Sequence, residues 1–288
     1  MIPFDLQSHS TVSDGELAPR DLVAAAAAAG VERLALTDHD AVDGIDDAMA
    51  AGLHHGVAVV PALELSVLDE RRGDLHLCGY LIDHRHAELT QTLLACRADR
   101  ASRADQMADA LEACGLHVDR SPLHARGRAG AAVGRPHLAA AVLAHPANAA
   151  RLEAEGLFDT GAVLEAYLIP GRPAFVHRPA PTMAEGIALI HETGGLAVWA
   201  HPYWDLDTDE EVRGSIDRFA AMGLDGVEAF YTTHTEAQTR VAVAQCEARG
   251  LLTTGSADFH GPHHPRFHTF GAFSTYDLEP NLGPIADA

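Results

Sequence analysis

The sequence has no lysine; all 20 of its basic residues are arginine, set against 41 acidic ones. That absence removes the P-loop lysine, Schiff-base chemistry and a lysine general base, leaving carboxylates, histidines, arginines or metals to carry a reaction. Cysteine is scarce. The four at positions 78, 96, 114 and 246 are too few and too dispersed for a disulfide framework, and no CxxC pair suggests a zinc ribbon. No apolar run reaches membrane-spanning length: the longest tract, Leu22 to Gly30, is mostly alanine, and MIPFDL lacks the charged and apolar regions of a signal peptide. A soluble cytoplasmic protein with reduced thiols is expected, with no membrane partner. Excess positive charge is missing too, and the net charge of −21 disfavours duplex nucleic acid. A small anionic substrate held by local cations stays open.

What the sequence has in abundance is histidine, 19 residues, so the question is which of them are chemical. His54 and His55 at a helix end, His84 and His86 in a polar turn, and His263 and His264 between prolines read as solvated surface. The chain is 47% hydrophobic, enough for one large domain with an insertion. Short β-rich runs alternate with alanine-rich helical stretches, the signature of βα units and a mainly parallel sheet. Strands are expected at 4–7, 33–37, 58–67, 75–82, 196–200, 226–231 and 251–255. Helices are expected between them, at 19–29, 45–55, 183–193, 210–222 and 236–249. The polar turn DERRG at 69–73 predicts a hairpin in place of one crossover, which folds His76 back to the level of Glu64. From 85 to 176 the strand signal vanishes and helices are expected at 97–114, 136–143 and 163–167. The division is therefore a barrel domain, 1–84 with 177–288, and an inserted helical subdomain, 85–176. Thr269 to Thr275 is a candidate edge strand, and the tail after Asp277 is expected to be loose. Seven strands with intervening helices fit an imperfect (β/α) barrel better than a doubly wound open sheet.

Placed on those strands, His9, Asp38, His39, Glu64, His201, Asp258 and His260 fall at strand C-terminal ends, which converge on one rim in such barrels. These are ligand types favoured by zinc, manganese and iron. Massing them without cations is electrostatically costly, and two or three divalent ions relieve that cost.

The segments DLQSHSTVSDG at 5–15, LTDHD at 36–40, PALELS around Glu64, LHLCGYL at 75–81, GRPHLA at 134–139, WAHPY at 199–203 and GSADFHG at 255–261 together resemble the PHP (polymerase and histidinol phosphatase) family of metal-dependent phosphoesterases. The resemblance runs from about residue 4 to 275. It implies an α/β fold, a distorted (β/α)7 barrel with the inserted helical subdomain covering the substrate, and two or three divalent ions (Mn, Zn or Fe). Carried over by position, one metal site falls on Gln7, His9, Glu64 and Asp258. Glu64 bridges to a second held by His76 and His201, and a third uses Asp14, His39 and His260. Position 7 departs from the family's HxH opening: a glutamine amide oxygen is a poorer ligand than imidazole. Gln7 coordinates directly, bonds a metal-bound water, or marks a site of lowered occupancy. Asp14 replaces a histidine usual in the histidinol phosphatases, which favours the branch acting on nucleoside bisphosphates.

Gly134-Arg135-Pro136-His137 opens an apolar helix, where free backbone N–H groups and an arginine suit phosphate; an ordinary capped helix is the alternative. The resemblance places Arg135 and His137 on phosphate; His177 and Arg178, near the insertion's return, are alternative phosphate contacts. His234 sits on the rim as a substrate-facing or capping residue, and Tyr203 and Trp204 flank a base or shield the site. The expected activity is phosphomonoester hydrolysis of a small nucleotide by a metal-activated hydroxide, with His39, His201 and Arg135 as the catalytic set and His201 or His234 protonating the leaving group. The alternatives are a 5′-to-3′ exonuclease on short RNA, a histidinol-phosphate-type phosphatase, and a non-catalytic nucleotide-binding protein with a degenerate metal site. A monomer is expected.

Overall fold

A computed structural model describes residues 3–128, 133–176 and 180–288, with the backbone alone at 97–101 and 128. Seven strands, β1 (Phe4–Asp5), β2 (Arg33–Leu36), β3 (Ala58–Asp69), β4 (Gly73–Tyr80), β5 (Leu196–Trp199), β6 (Gly226–Tyr231) and β7 (Leu252–Ser256), form one sheet in sequence order. Neighbours pair in parallel except around β4, which is antiparallel to both β3 and β5. The Leu6 N–H donates to Gly255 O at 3.2 Å, so the first strand meets the last and the sheet curls into a nearly closed barrel.

The reversal at β4 is local chemistry. Asp69 accepts from the Arg71 N–H at 3.2 Å and Gly73 turns the chain at φ +83°, a conformation that suits glycine. Cys78 lies opposite Glu64 in the register, which puts His76 diagonally across from that carboxylate on the same face.

The helices are α1 (Pro19–Ala28), α2 (Ile45–His55), α3 (Ala87–Ala113), α4 (Ser121–Arg128), α5 (Arg135–Ala144), α6 (Ala149–Glu155), α7 (Thr160–Val163), α8 (Met183–Glu192), α9 (Pro202–Asp205), α10 (Asp209–Ala220) and α11 (Glu236–Arg249). Two compact units emerge, Met1–Leu93 with Ala180–Ala288, and Leu94–Pro179. In the first, Leu22, Val23 and Ala26 of α1 pack with Leu34 and Leu36 of β2, while Ile187, Ile190, Ile216 and Phe219 cover β3 to β5. Thr182 caps α8 reciprocally with Glu185, fixing where that helix begins. In the second, Met107, Leu111, Leu138, Val142 and Leu168 form a separate core. There the buried Asn148 accepts from the His117 N–H and donates to the His117 and Val142 carbonyls, each at 2.8 Å.

Several elements differ from the sequence reading. Helix α3 starts ten residues before Arg97, because Leu89, Leu93 and Cys96 keep a helical burial period through a polar stretch. Helices α4, α6 and α9 are additional. Thr269 to Thr275 is not a strand: Gly271 turns at φ +65° and its N–H donates to Asp5 Oδ2 at 2.8 Å. The tail after Asp277 is docked rather than loose. Leu282 and Ile285 close the barrel interior with Phe4, Leu6, Val60, Tyr80 and Val198, and Thr253 and Asn281 exchange hydrogen bonds at 2.8 Å. Among the described residues, no helix is long and apolar enough to cross a membrane.

Ile285 is fully buried. Ile285→Ala is therefore expected to lower the unfolding free energy by about 2–5 kcal/mol in denaturant titration, where a loose tail predicts a change within about 0.5 kcal/mol.

Candidate metal centre

The strand ends deliver the polar residues by sharp departures from extended backbone. Asp40, His201 and Asp258 have φ of +48°, +32° and +54°, strained for side-chain-bearing residues, and all three lie where the chain leaves the barrel rim. Asp40 Oδ1 holds the Ser66 N–H at 2.8 Å beside Glu64. The loop carrying His9 is pinned by Asp38, whose Oδ1 accepts from the Ser10 N–H at 2.8 Å and the Ser13 hydroxyl at 2.6 Å, and whose Oδ2 accepts from the Ser10 hydroxyl at 2.7 Å.

At the centre is Glu64, with 1% of its surface exposed. Its Oε1 lies 2.6 Å from His76 Nδ1 and 3.1 Å from His201 Nε2; its Oε2 lies 3.1 Å from His9 Nε2 and 3.3 Å from His39 Nδ1. His9 Nε2 is also 3.0 Å from Asp258 Oδ1. Asp14 faces three imidazoles, with Oδ1 at 3.6 Å from His9 Nδ1 and 3.7 Å from His260 Nε2, and Oδ2 at 3.7 Å from His39 Nε2. Three sets of ligand atoms each gather within 4.8 Å: His9, Asp14, His39 and His260; His39, Glu64 and His76; His9, Glu64 and Asp258.

These residues fit divalent cations. His9 Nε2, His39 Nδ1, Glu64 Oε2 and Asp258 Oδ1 approach one another closely yet make no aligned hydrogen bond, and both amide atoms of the buried Gln7 are likewise without one. Leaving several buried polar atoms unmatched at one spot costs about 1–3 kcal/mol each, and a coordinated ion supplies what they lack.

The electrostatics agree. Burial opposes ionisation of Glu64, but His39, His76 and His201 hold its carboxyl well below the usual range; Asp258 is held low against burial by His260 and His9. His9 and His201 are raised well above an ordinary imidazole although burial alone lowers them, His9 by Asp258 and Glu64, His201 by Asp205 and Glu64. Burial pushes His39 down to about 3, against the pull of Glu64 and Asp14, so its ring is neutral and its lone pair available. An arriving cation has to displace the protons on His9 and His201.

The second layer holds residues that sequence reading missed. Glu228, in β6, accepts from the His201 N–H at 2.9 Å and the Ser256 hydroxyl at 2.5 Å, and burial lifts its carboxyl to about 8. Its signal was a lone carboxylate in the otherwise apolar strand GVEAFY. Tyr231 donates to Asp258 Oδ2 at 2.7 Å, and Asp205 Oδ2 lies 3.6 Å from His201 Nδ1.

Gln7, His9, Asp14, His39, Glu64, His76, His201, Asp258 and His260 all belong to the barrel unit. His234 does too, but both its nitrogens are engaged by backbone. Nδ1 donates to Ala229 O at 3.1 Å and Nε2 accepts from the Tyr203 N–H at 3.4 Å, the arrangement that the capping alternative requires. Burial pushes its pKa down to about 4. Arg135 and His137 lie in the helical unit at the start of α5, where the Gly134 N–H donates to His137 Nδ1 at 3.0 Å. His177 and Arg178 lie outside the described residues.

The PHP domain family model matches residues 5–113. A 5′-3′ exoribonuclease of Haemophilus influenzae is 33% identical over 90% of each chain. A 3′,5′-nucleoside bisphosphate phosphatase of Chromobacterium violaceum is 32% identical over 91% of this chain and 88% of that one. A solved structure described as an amidohydrolase from C. violaceum, with bound sulfate and no metal, superposes with a TM-score of 0.85 at 27% identity, covering 99% of this chain and 96% of the other. With its barrel, its ligand-bearing rim and relatives matched nearly end to end, the chain belongs to the PHP family.

Proposed function

We propose that the protein is a metal-dependent phosphoesterase that hydrolyses a phosphomonoester of a small nucleotide, a nucleoside 3′,5′-bisphosphate or a close analogue. The observation that carries this reading is the buried Glu64 carboxylate, shared by four imidazoles, two of which, His9 and His39, face it with nitrogens that lack aligned hydrogen bonds. The residues assigned to hold ions are Gln7, His9, Glu64 and Asp258; Glu64, His76 and His201; and Asp14, His39 and His260. Two or three manganese, zinc or iron ions supply Lewis acidity toward phosphoryl oxygens and water.

The chain's own residues do the rest. Glu64 fixes the spacing of the rim, and His39, kept neutral by burial, offers a lone pair rather than a charge. His201 is assigned to an ion through Nε2, with Asp205 placed 3.6 Å from Nδ1 to orient the ring, and the leaving alkoxide takes its proton from water. Arg135 offsets charge on the transferring phosphoryl group, with His137 and His177 as phosphate contacts, a positioning and electrostatic task without a covalent step.

A 5′-to-3′ exonuclease on short RNA is the second reading, favoured by the H. influenzae relative's name. The net charge of −21 weighs against it, since long RNA is normally met by a basic surface.

Manganese-supplemented protein is expected to release phosphate from adenosine 3′,5′-bisphosphate more readily than from mononucleotides, histidinol phosphate or a short 5′-phosphorylated RNA, and His39→Ala to abolish that release. Preference for the RNA establishes the second reading; no release from any of them, despite bound metal, contradicts both. Arg135→Ala is expected to lower kcat/KM for the bisphosphate by about 10- to 100-fold, the worth of one or two charged hydrogen bonds, with metal content unchanged. An unchanged kcat/KM removes Arg135 from the site.

A further inference from the structure

Beside the ligand cluster the barrel unit carries an aromatic surface to which the hydrolytic chemistry assigns no task. Trp204 sits on α9, three residues after His201, with its N–H donating to His201 O at 2.8 Å. The chain's other tryptophan, Trp199, is fully buried against Phe219, whereas Trp204 leaves 49% of its surface exposed. An indole half in water forgoes burial that a neighbouring sequence position obtains. Its ring is continuous with the metal centre: Trp204 lies 5.7 Å from Phe267, and Phe267 lies 5.7 Å from His260 and 6.0 Å from Tyr231, which holds Asp258. The Arg266 guanidinium lies over the Trp204 ring at 5.2 Å. In a chain with twice as many acids as arginines, Arg266 has no carboxylate partner among the described residues. The loop beneath is held in place, as the Arg266 and Phe267 N–H groups both donate to His264 Nδ1, at 3.3 and 2.9 Å.

From this we propose that Trp204 and Arg266 form a nucleobase platform, the element that makes the site prefer nucleotides over phosphates lacking a base. It rests on the phosphoesterase reading above and supplies its specificity. An exposed indole layered with a guanidinium is the surface on which a base stacks, because both partners present flat faces and the cation strengthens the π contact. Its position one ring contact beyond His260 and Phe267 suits a ligand whose phosphate lies at the metal centre and whose base extends away from it. Stacking tolerates any base, so the platform selects for the presence of a base and not for its identity.

Two measurements test it. With metal-loaded protein, adenosine monophosphate is expected to quench tryptophan fluorescence and ribose 5-phosphate to leave it unaltered; because Trp199 is buried, the signal reports Trp204. In turnover, Trp204→Ala is expected to lower the ratio of kcat/KM for adenosine 3′,5′-bisphosphate to that for an abasic ribose bisphosphate by about 5- to 100-fold, and Trp204→Phe to keep most of it. Equal quenching by both ligands, or a ratio unchanged in Trp204→Ala, overturns the platform. Quenching by the nucleotide alone, from a protein that hydrolyses none of the phosphates, sinks the phosphoesterase reading and leaves the platform standing.

Discussion

A carboxylate buried to 1% exposure and kept ionised is the constraint around which the barrel rim is organised. Taking the charge of Glu64 out of water is costly, and the protein surrounds it with His9, His39, His76 and His201, each bringing a ring nitrogen within 3.3 Å. Those imidazoles arrive from the ends of β1, β2 and β5 and from within β4, so gathering them on one carboxylate fixes the mutual positions of the four strands. The antiparallel β4 follows from the same need. A parallel crossover after β3 delivers a helix, whereas the hairpin returns His76 diagonally across from Glu64 within a few residues.

The surrounding layer restrains rather than reacts. Asp38 ties down the loop of His9 through two serines, Glu228 holds the backbone of His201, and Tyr231 orients Asp258. Three residues accept left-handed backbone at the rim, a cost concentrated where side chains must be aimed. The opposite end of the barrel is closed by apolar packing from Leu282 and Ile285, which separates stability from chemistry along the barrel axis.

Most of the barrel was legible because strand and helix periods are local properties. Helices α2 and α11 end where glycines 56 and 250 adopt left-handed backbone, a stop signal visible in the letters. The rim residues were legible because each follows an apolar strand, and the family resemblance sorted them into sets. What escaped depends on tertiary neighbours. The tail reads as polar and irregular, yet two side chains in it complete an interior that only the closed sheet creates. The segment 87–96 hides its helical period among threonine, glutamine and glutamate. His234 reads equally as substrate-facing or capping, and only the fold supplies the backbone partners of both its nitrogens. Gln7, a poor ligand by type, is buried with both amide atoms unmatched, a circumstance that its letter does not show.

All of the rim's chemistry depends on its being a cation site, so the most direct measurement is a calorimetric titration of chelator-treated protein with manganese. Two or three equivalents bound per chain, with proton release and loss of tight binding in Glu64→Gln, is the predicted result. A folded protein that binds no manganese, or binds it equally well without the Glu64 carboxylate, contradicts it.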